Sequence, residues 1–343
     1  MPGTCRTIMA VFALLWLVVD AARAQPRPAA IPSPMGVRKL APAGPWEIIE
    51  GDRPVLRYNY QIVPLPDAVK PRIAPGNRKY AVPRSDYIHP LYGLHGEILT
   101  DDWVADHPHH RGIYWAWPEV DWQGKRGDLH ALQEVFARPT GKIEFSQGAD
   151  FAQIQAENEW HFGDGPAIVR EIAILRAWRQ TDVGRAIDLD LRFAALSTDV
   201  QVARRGQSHY GGLNIRLSPV VDQKIVTSTG PPAATFPMAW AQRSGTPPAG
   251  GYAASGSPGG PWPTALTILQ SPGNPDYPGD WVQYPEISWI QPTFPASGTR
   301  YTLRKDRPLV LRYRLWIHGK PLAAEAIRNL VTAPSSLPPG ALP

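Results

Sequence analysis

Five of the nine histidines, His89, His95, His107, His109 and His110, lie between residues 89 and 110. The densest stretch is Asp106-His107-Pro108-His109-His110-Arg111. Imidazole exchanges protons near neutral pH and is also a common metal ligand. Two chemistries therefore compete here. In the acid/base reading His107, His109 and His110 move protons, and Asp106 or Glu97 sets their tautomer. Arg111 then holds a carboxylate or orients a hydroxyl-rich ligand through its rigid fork. In the metal reading two or three of the same histidines and a carboxylate bind a divalent ion such as zinc or copper. The spacing of His107 and His109 puts two rings on one side of an extended segment. Pro108 restricts the loop, and Gly112 lets the chain turn tightly into a strand.

Later segments supply groups to hold a ligand. Trp115 and Trp117 come directly after the histidine loop. His209 precedes a Gly-Gly pair, after which Asn214 and Arg216 share one strand face. Asn274 and Trp281 flank a constrained turn, and Glu286 comes shortly after. Glu97 and Glu286 are the carboxylates available for a two-sided glycosidase pair.

The elements that must position these groups are strands. Ile154, Ala156, Trp160 and Phe162 alternate with Gln153, Gln155, Glu157 and Glu159, the period of a half-buried strand. Ile187 to Phe193 and Leu309 to Ile317 repeat the pattern. Further strands are expected at 46–50, 55–60, 112–117, 167–178, 212–218 and 265–270. One helix is expected, over Leu322–Val331. Many strands without βαβ alternation imply an all-β protein, a large antiparallel β-sandwich with one short C-terminal helix.

Residues 1–24 read as a secretory signal peptide, with Arg6, an apolar run from Ile8 to Val19, and Ala22-Arg23-Ala24 at the cleavage point. Residues 25–44 read as a disordered lead-in, 45–332 as a single domain and 333–343 as a Pro-rich tail. The insert Thr229–Pro263, rich in Gly and Pro yet carrying Phe236, Trp240, Tyr252 and Trp262, is either a floppy loop or a lid. Cys5 is the only cysteine and leaves with the leader, so thiol chemistry is excluded. The net charge of +5 is scattered, which gives nucleic acid no polybasic docking run. No stretch after the leader has the length of a membrane span.

The blocks His89-Pro90-Leu91-Tyr92-Gly93, Asp106 to Gly112 with Trp115, Gly211-Gly212-Leu213 with Arg216, and Asn274-Pro275 with Pro278 and Trp281 resemble a bacterial family labelled methane oxygenase PmoA-like. The chain departs from that pattern at His95, at Leu129-His130 and at Asp276-Tyr277. The resemblance implies an exported protein with a β-supersandwich similar to galactose mutarotase, and hence a sugar ligand.

These features converge on a periplasmic or secreted carbohydrate-active enzyme that acts on a glycoside or oligosaccharide by histidine-assisted acid/base chemistry. Epimerase, lyase and hydrolase stay open. The alternatives are a metal-dependent enzyme with the histidines as ligands, and a non-catalytic sugar-binding protein.

Overall fold

Apolar side chains at every second position bury one face of a strand, and enough such strands must pair face to face to keep those faces dry. The computed structural model describes residues 34–42, 44–230, 237–248 and 263–332. A six-stranded sheet runs Met35–Lys39, Trp46–Glu50, Arg53–Asn59, Tyr87–Leu91, Ile113–Ala116, Gly212–Ile215 from edge to edge. An eight-stranded sheet runs Val221–Thr227, Trp240–Thr246, Thr264–Gln270, Leu309–His318, Arg185–Ala195, Ala167–Trp178, Phe151–Phe162, Val135–Gln147. A four-stranded sheet (Tyr301–Leu303, Val200–Ala203, Glu119–Trp122, Lys125–Gly127) and a hairpin of Trp281–Tyr284 with Trp289–Pro292 complete the set. The strand pairings in all four are antiparallel.

The two large sheets share one core. Ile154, Ala156 and Trp160 from the larger sheet pack in the same cluster as Ile48, Tyr58 and Ile88 from the smaller. Each large apolar side chain so buried contributes about 1.5–3 kcal/mol. The outer face of the larger sheet carries a second cluster, where Trp178, Trp240 and Trp316 meet Ile327 of the helix Ala324–Thr332. That contact explains why a lone helix forms at this point: it buries an apolar stripe that the sandwich alone would leave wet.

The expected β-sandwich with one short C-terminal helix is therefore the observed fold, and all described residues fall within one compact unit, Ser33–Pro343. Two expectations need correction. Met35–Lys39, inside the supposed disordered lead-in, pairs with Trp46–Glu50 as an edge strand. The supposed lid at 229–263 is interrupted by Trp240–Thr246, which is an integral strand between two others. The signal peptide, the Pro-rich tail, and Phe236, Tyr252 and Trp262 of the insert lie outside the described residues.

Within the core sits a carboxyl pair, Asp86 and Glu171. Glu171 has no exposed surface and accepts the indole N–H groups of Trp115 (2.5 Å) and Trp160 (2.7 Å). Asp86 accepts the Tyr58 hydroxyl at 2.5 Å. Burial, followed by the charge and hydrogen bond of Asp86, pushes Glu171 well above the usual carboxylate range. Glu171 thus stays protonated, and the pair holds one sheet to the other without a net dianion. Glu171→Ala would strand two indole donors at about 1–3 kcal/mol each, whereas Glu171→Gln keeps an acceptor and a donor in place. Denaturant unfolding should show the Ala variant several-fold more destabilised than the Gln variant. Equal losses would contradict the hydrogen-bonding role.

Candidate functional site

The histidine loop leaves the strand Tyr87–Leu91 by way of a hairpin and returns into Ile113–Ala116. Its base is fixed by Arg111. The Arg111 guanidinium lies 3.5 Å from the Trp103 ring centroid and 4.5 Å from that of Tyr87. It donates through Nε to Asp102 and through Nη2 to the Tyr87 hydroxyl. Gly112 closes the loop with φ +57°, and a Cβ there would come within 2.2 Å of the Ile88 carbonyl oxygen. Glycine is required on both counts. His110 N–H donates to the His107 carbonyl at 2.9 Å, which makes the tight turn around Pro108. Asn77 pins the other side by donating to the Asp106 carbonyl at 2.9 Å.

Held this way, the loop presents its rings to a cavity of about 420 Å³, within the ~300–1,000 Å³ usual for ligand pockets. Four other segments complete its wall. The 3₁₀ turn Pro75–Tyr80 brings Tyr80, the loop after Lys125–Gly127 brings His130, the turn at Arg205–Gln207 leads to Tyr210, and the hairpin tip brings Tyr284, Glu286 and Trp289.

The imidazoles form one group. His107 and His110 stack at 4.7 Å with planes 15° apart. His109 meets His110 edge-on at 4.6 Å, and His130 lies 5.3 Å from His109 and 5.7 Å from His110. Trp289 covers His110 at 4.1 Å. Hydrogen bonds fix two tautomers. Asp106 Oδ2 stands 2.9 Å from His107 Nδ1, so that nitrogen donates, and in the neutral ring Nε2 is the acceptor. Arg216 Nη1 stands 3.4 Å from His110 Nδ1. Because a guanidinium only donates, His110 carries its proton on Nε2. Arg216 also approaches Asp106 Oδ1 at 3.6 Å. Burial would raise the Asp106 carboxyl, but the His107 hydrogen bond and the Arg216 charge outweigh it and hold it below the usual range.

The structure brings together His107, His109, His110, Asp106, Arg216 and Glu286. It does not bring the other candidates to this cavity. Arg111 is sealed beneath the loop, against Asp102 and Tyr87. Trp115 and Trp117 point into the core, with indole N–H groups donated to Glu171 and to the Phe294 carbonyl. Trp115 instead borders a separate cavity of about 250 Å³ beside Asp86. Glu97 accepts from Thr264 and from the His95 backbone. Asn214 is buried and bonded to Gly212, Ala116 and Gln291. Asn274 exchanges hydrogen bonds with the Arg312 backbone. Trp281 donates to the Met238 carbonyl. His209 is exposed in the turn at 205–210.

Sequence reasoning missed His130, Tyr80, Tyr210, Tyr284 and Arg205. One signal was available for the strand after the loop. Side chains alternate, so choosing Trp115 and Trp117 excludes Tyr114, yet Tyr114 is the residue whose hydroxyl meets His130 Nε2 at 3.0 Å. Arg84 lies 4.1 Å from the Tyr114 ring centroid and donates to the His130 carbonyl, which anchors that ring's loop from below.

The arrangement does not fit a metal ion shared by the cluster. Stacked rings turn their in-plane lone pairs parallel, so His107 and His110 cannot converge on one point. Among the described residues no three His, Cys, Asp or Glu side chains are arranged to hold one ion.

A family model described as "Family of unknown function (DUF6807)" matches residues 22–332. Its description carries neither an activity nor the methane-oxygenase label of the resemblance. No curated protein matches the chain. A solved structure named "Putative kojibiose phosphorylase from human microbiome" is similar at 9% identity and a TM-score of 0.26, over 64% of this chain and 25% of that one. The chain thus spans about a quarter of that structure's length.

Three imidazoles of the cavity, His109, His110 and His130, are held neutral. Burial first, then the neighbouring His107, Arg84 and Arg205, pushes His109 down to about 3. Burial and the surrounding histidines likewise drive His110 and His130 well below the ordinary value. The unfolded chain takes up these protons near pH ~6.5, whereas the folded one refuses them. Stability is therefore full above that pH and falls as the pH drops towards the folded values. Each ring should cost about 1.4 kcal/mol per pH unit in that window. Glu171, protonated in the fold, acts with the opposite sign, so the comparison must be differential. His109→Gln should flatten the fall in unfolding free energy below pH ~6.5 by about one ring's share. An unchanged slope would mean that His109 titrates normally in the fold.

Proposed function

We propose that this chain, which belongs to the DUF6807 family of unknown function, is an exported carbohydrate-active enzyme that moves protons with His107 as base. The observation that carries the reading is the pair of opposite tautomers on two stacked rings. His107 offers a lone pair on Nε2 because Asp106 holds Nδ1, and His110 offers an N–H on Nε2 because Arg216 occupies Nδ1. A base beside a neutral donor suits abstraction of a proton from a hydroxyl or from carbon next to a carbonyl, with the donor steadying the oxygen that gains charge.

The wall chemistry suits a sugar. Tyr80, Tyr210, Tyr284 and Trp289 offer flat apolar faces, and Arg205, Asn77 and Glu286 offer polar groups at the rim. Asp106 is tied to His107 and Arg216, so it orients the base and is not one half of a two-carboxylate glycosidase pair. The proposed chemistry needs no metal.

The test is turnover on a panel of glycans and sugars, followed by product analysis, for the natural chain, His107→Asn and Asp106→Asn. Loss of the positioned base should lower turnover ~10²–10⁴-fold with ligand binding, read by tryptophan fluorescence, retained. Binding without turnover in the natural chain would make it a sugar-binding protein. Turnover unchanged in His107→Asn would remove His107 from the mechanism.

A further inference from the structure

A second cavity, of about 390 Å³, adjoins the histidine site, and Asp106 lines both. Its wall includes Arg72, His89, Thr100, Asp101, Trp103 and Arg216. Arg216 connects the two, since it borders this second space while its Nη1 meets His110 in the first. The two cavities differ in character. The first is walled by aromatic rings, the second mainly by charged and hydroxyl groups.

Two donors at the second wall have no acceptor among the described residues. The indole Nε1 of Trp103 and the Nε of Arg216 are buried and unpartnered, although both residues are more than nine-tenths buried. Buried donors are nearly always matched, so this wall is left with donors that its own described residues do not satisfy. The charges in the wall roughly cancel. Arg72 and Arg216 line it with Asp101 and Asp106, while Asp102 is already bound to Arg111. A charge-balanced polar wall suits a neutral hydroxylated group better than an anion.

We propose that the two cavities are adjoining subsites of one cleft, and that the ligand is an uncharged oligosaccharide of at least two units crossing Asp106. One unit lies on the aromatic side with Tyr210, Tyr284 and Trp289. The next lies on the polar side with Asp101, Trp103 and Arg216. The linkage between them then passes over Asp106 and His107, which places the proton-moving pair at the junction and not at the end of the chain. The inference rests on the sugar reading of the histidine site and deepens it.

Affinity as a function of chain length tests it. Calorimetry on the full chain would use α- and β-1,4-linked gluco-, galacto- and xylo-oligosaccharides, each beside its monosaccharide. In the series that binds, the disaccharide should bind at least about tenfold more tightly than the monosaccharide, the gain from roughly two added hydrogen bonds. Asp101→Asn, which is isosteric, and Arg72→Ala, at an exposed position, should each shrink that gain. Equal affinities for the two lengths, or a gain untouched by both variants, would overturn the second subsite and leave the histidine site's reading standing. Binding of none of the series would remove both.

Discussion

A charged guanidinium sealed beneath a loop is the constraint on which this site depends. Arg111 has no exposed surface, and its partners Asp102, Tyr87 and Trp103 all lie at the root of the histidine loop. Breaking a buried pair of this kind by removing one partner typically costs about 3–5 kcal/mol, because a charge is left uncompensated. The loop therefore has one low-energy seat. With Arg111 turned inward and Gly112 in its left-handed conformation, the rings of His107, His109 and His110 have only the cavity side to occupy. Arginine here acts by holding the backbone that carries the chemistry.

From that seat the electrostatics follow. Packing four imidazoles into one group, beneath Trp289 and beside Arg84, makes any imidazolium among the buried ones costly. The buried rings of His109, His110 and His130 stay neutral, and neutral imidazoles are asymmetric: one nitrogen donates and the other accepts. Which does which is decided by Asp106 and Arg216, one on each of two stacked rings. Asp106 also lines both the aromatic and the polar cavity. In the proposed reading, that single carboxylate couples proton transfer to the placement of a long ligand along the cleft.

The fold was legible because β alternation is a local signal. The strands around Ile154, Ile187 and Leu309 announce their inward faces residue by residue, and the sandwich results from burying them. The histidine loop was legible for the same reason, since its rings are neighbours in the chain. The features that escaped were set by tertiary contact or by strand phase. His130 stands alone in sequence, and only the packing of its loop against Arg84 and Tyr114 brings it to the others. Trp115 and Trp117 look like ligand platforms, yet the pleat sends them to the core, where Trp115 meets Glu171. Arg111 reads as a ligand fork because nothing in the sequence shows that Asp102 and Trp103 will enclose it. Glu97, Asn274 and Trp281 carry polar groups that the backbone and Thr264 consume.

Burial keeps His109, His110 and His130 neutral beside an accessible cavity, and the account of the site stands or falls with that neutrality. Ring-nitrogen NMR across a pH titration measures it directly, one histidine at a time. At about pH 5, below the ordinary imidazole value of ~6.5, His109, His110 and His130 should still show the unequal nitrogen shifts of single neutral tautomers. Three rings titrating together near the ordinary value, with averaged nitrogens, would mean a hydrated and mobile loop, with no fixed base or donor to present.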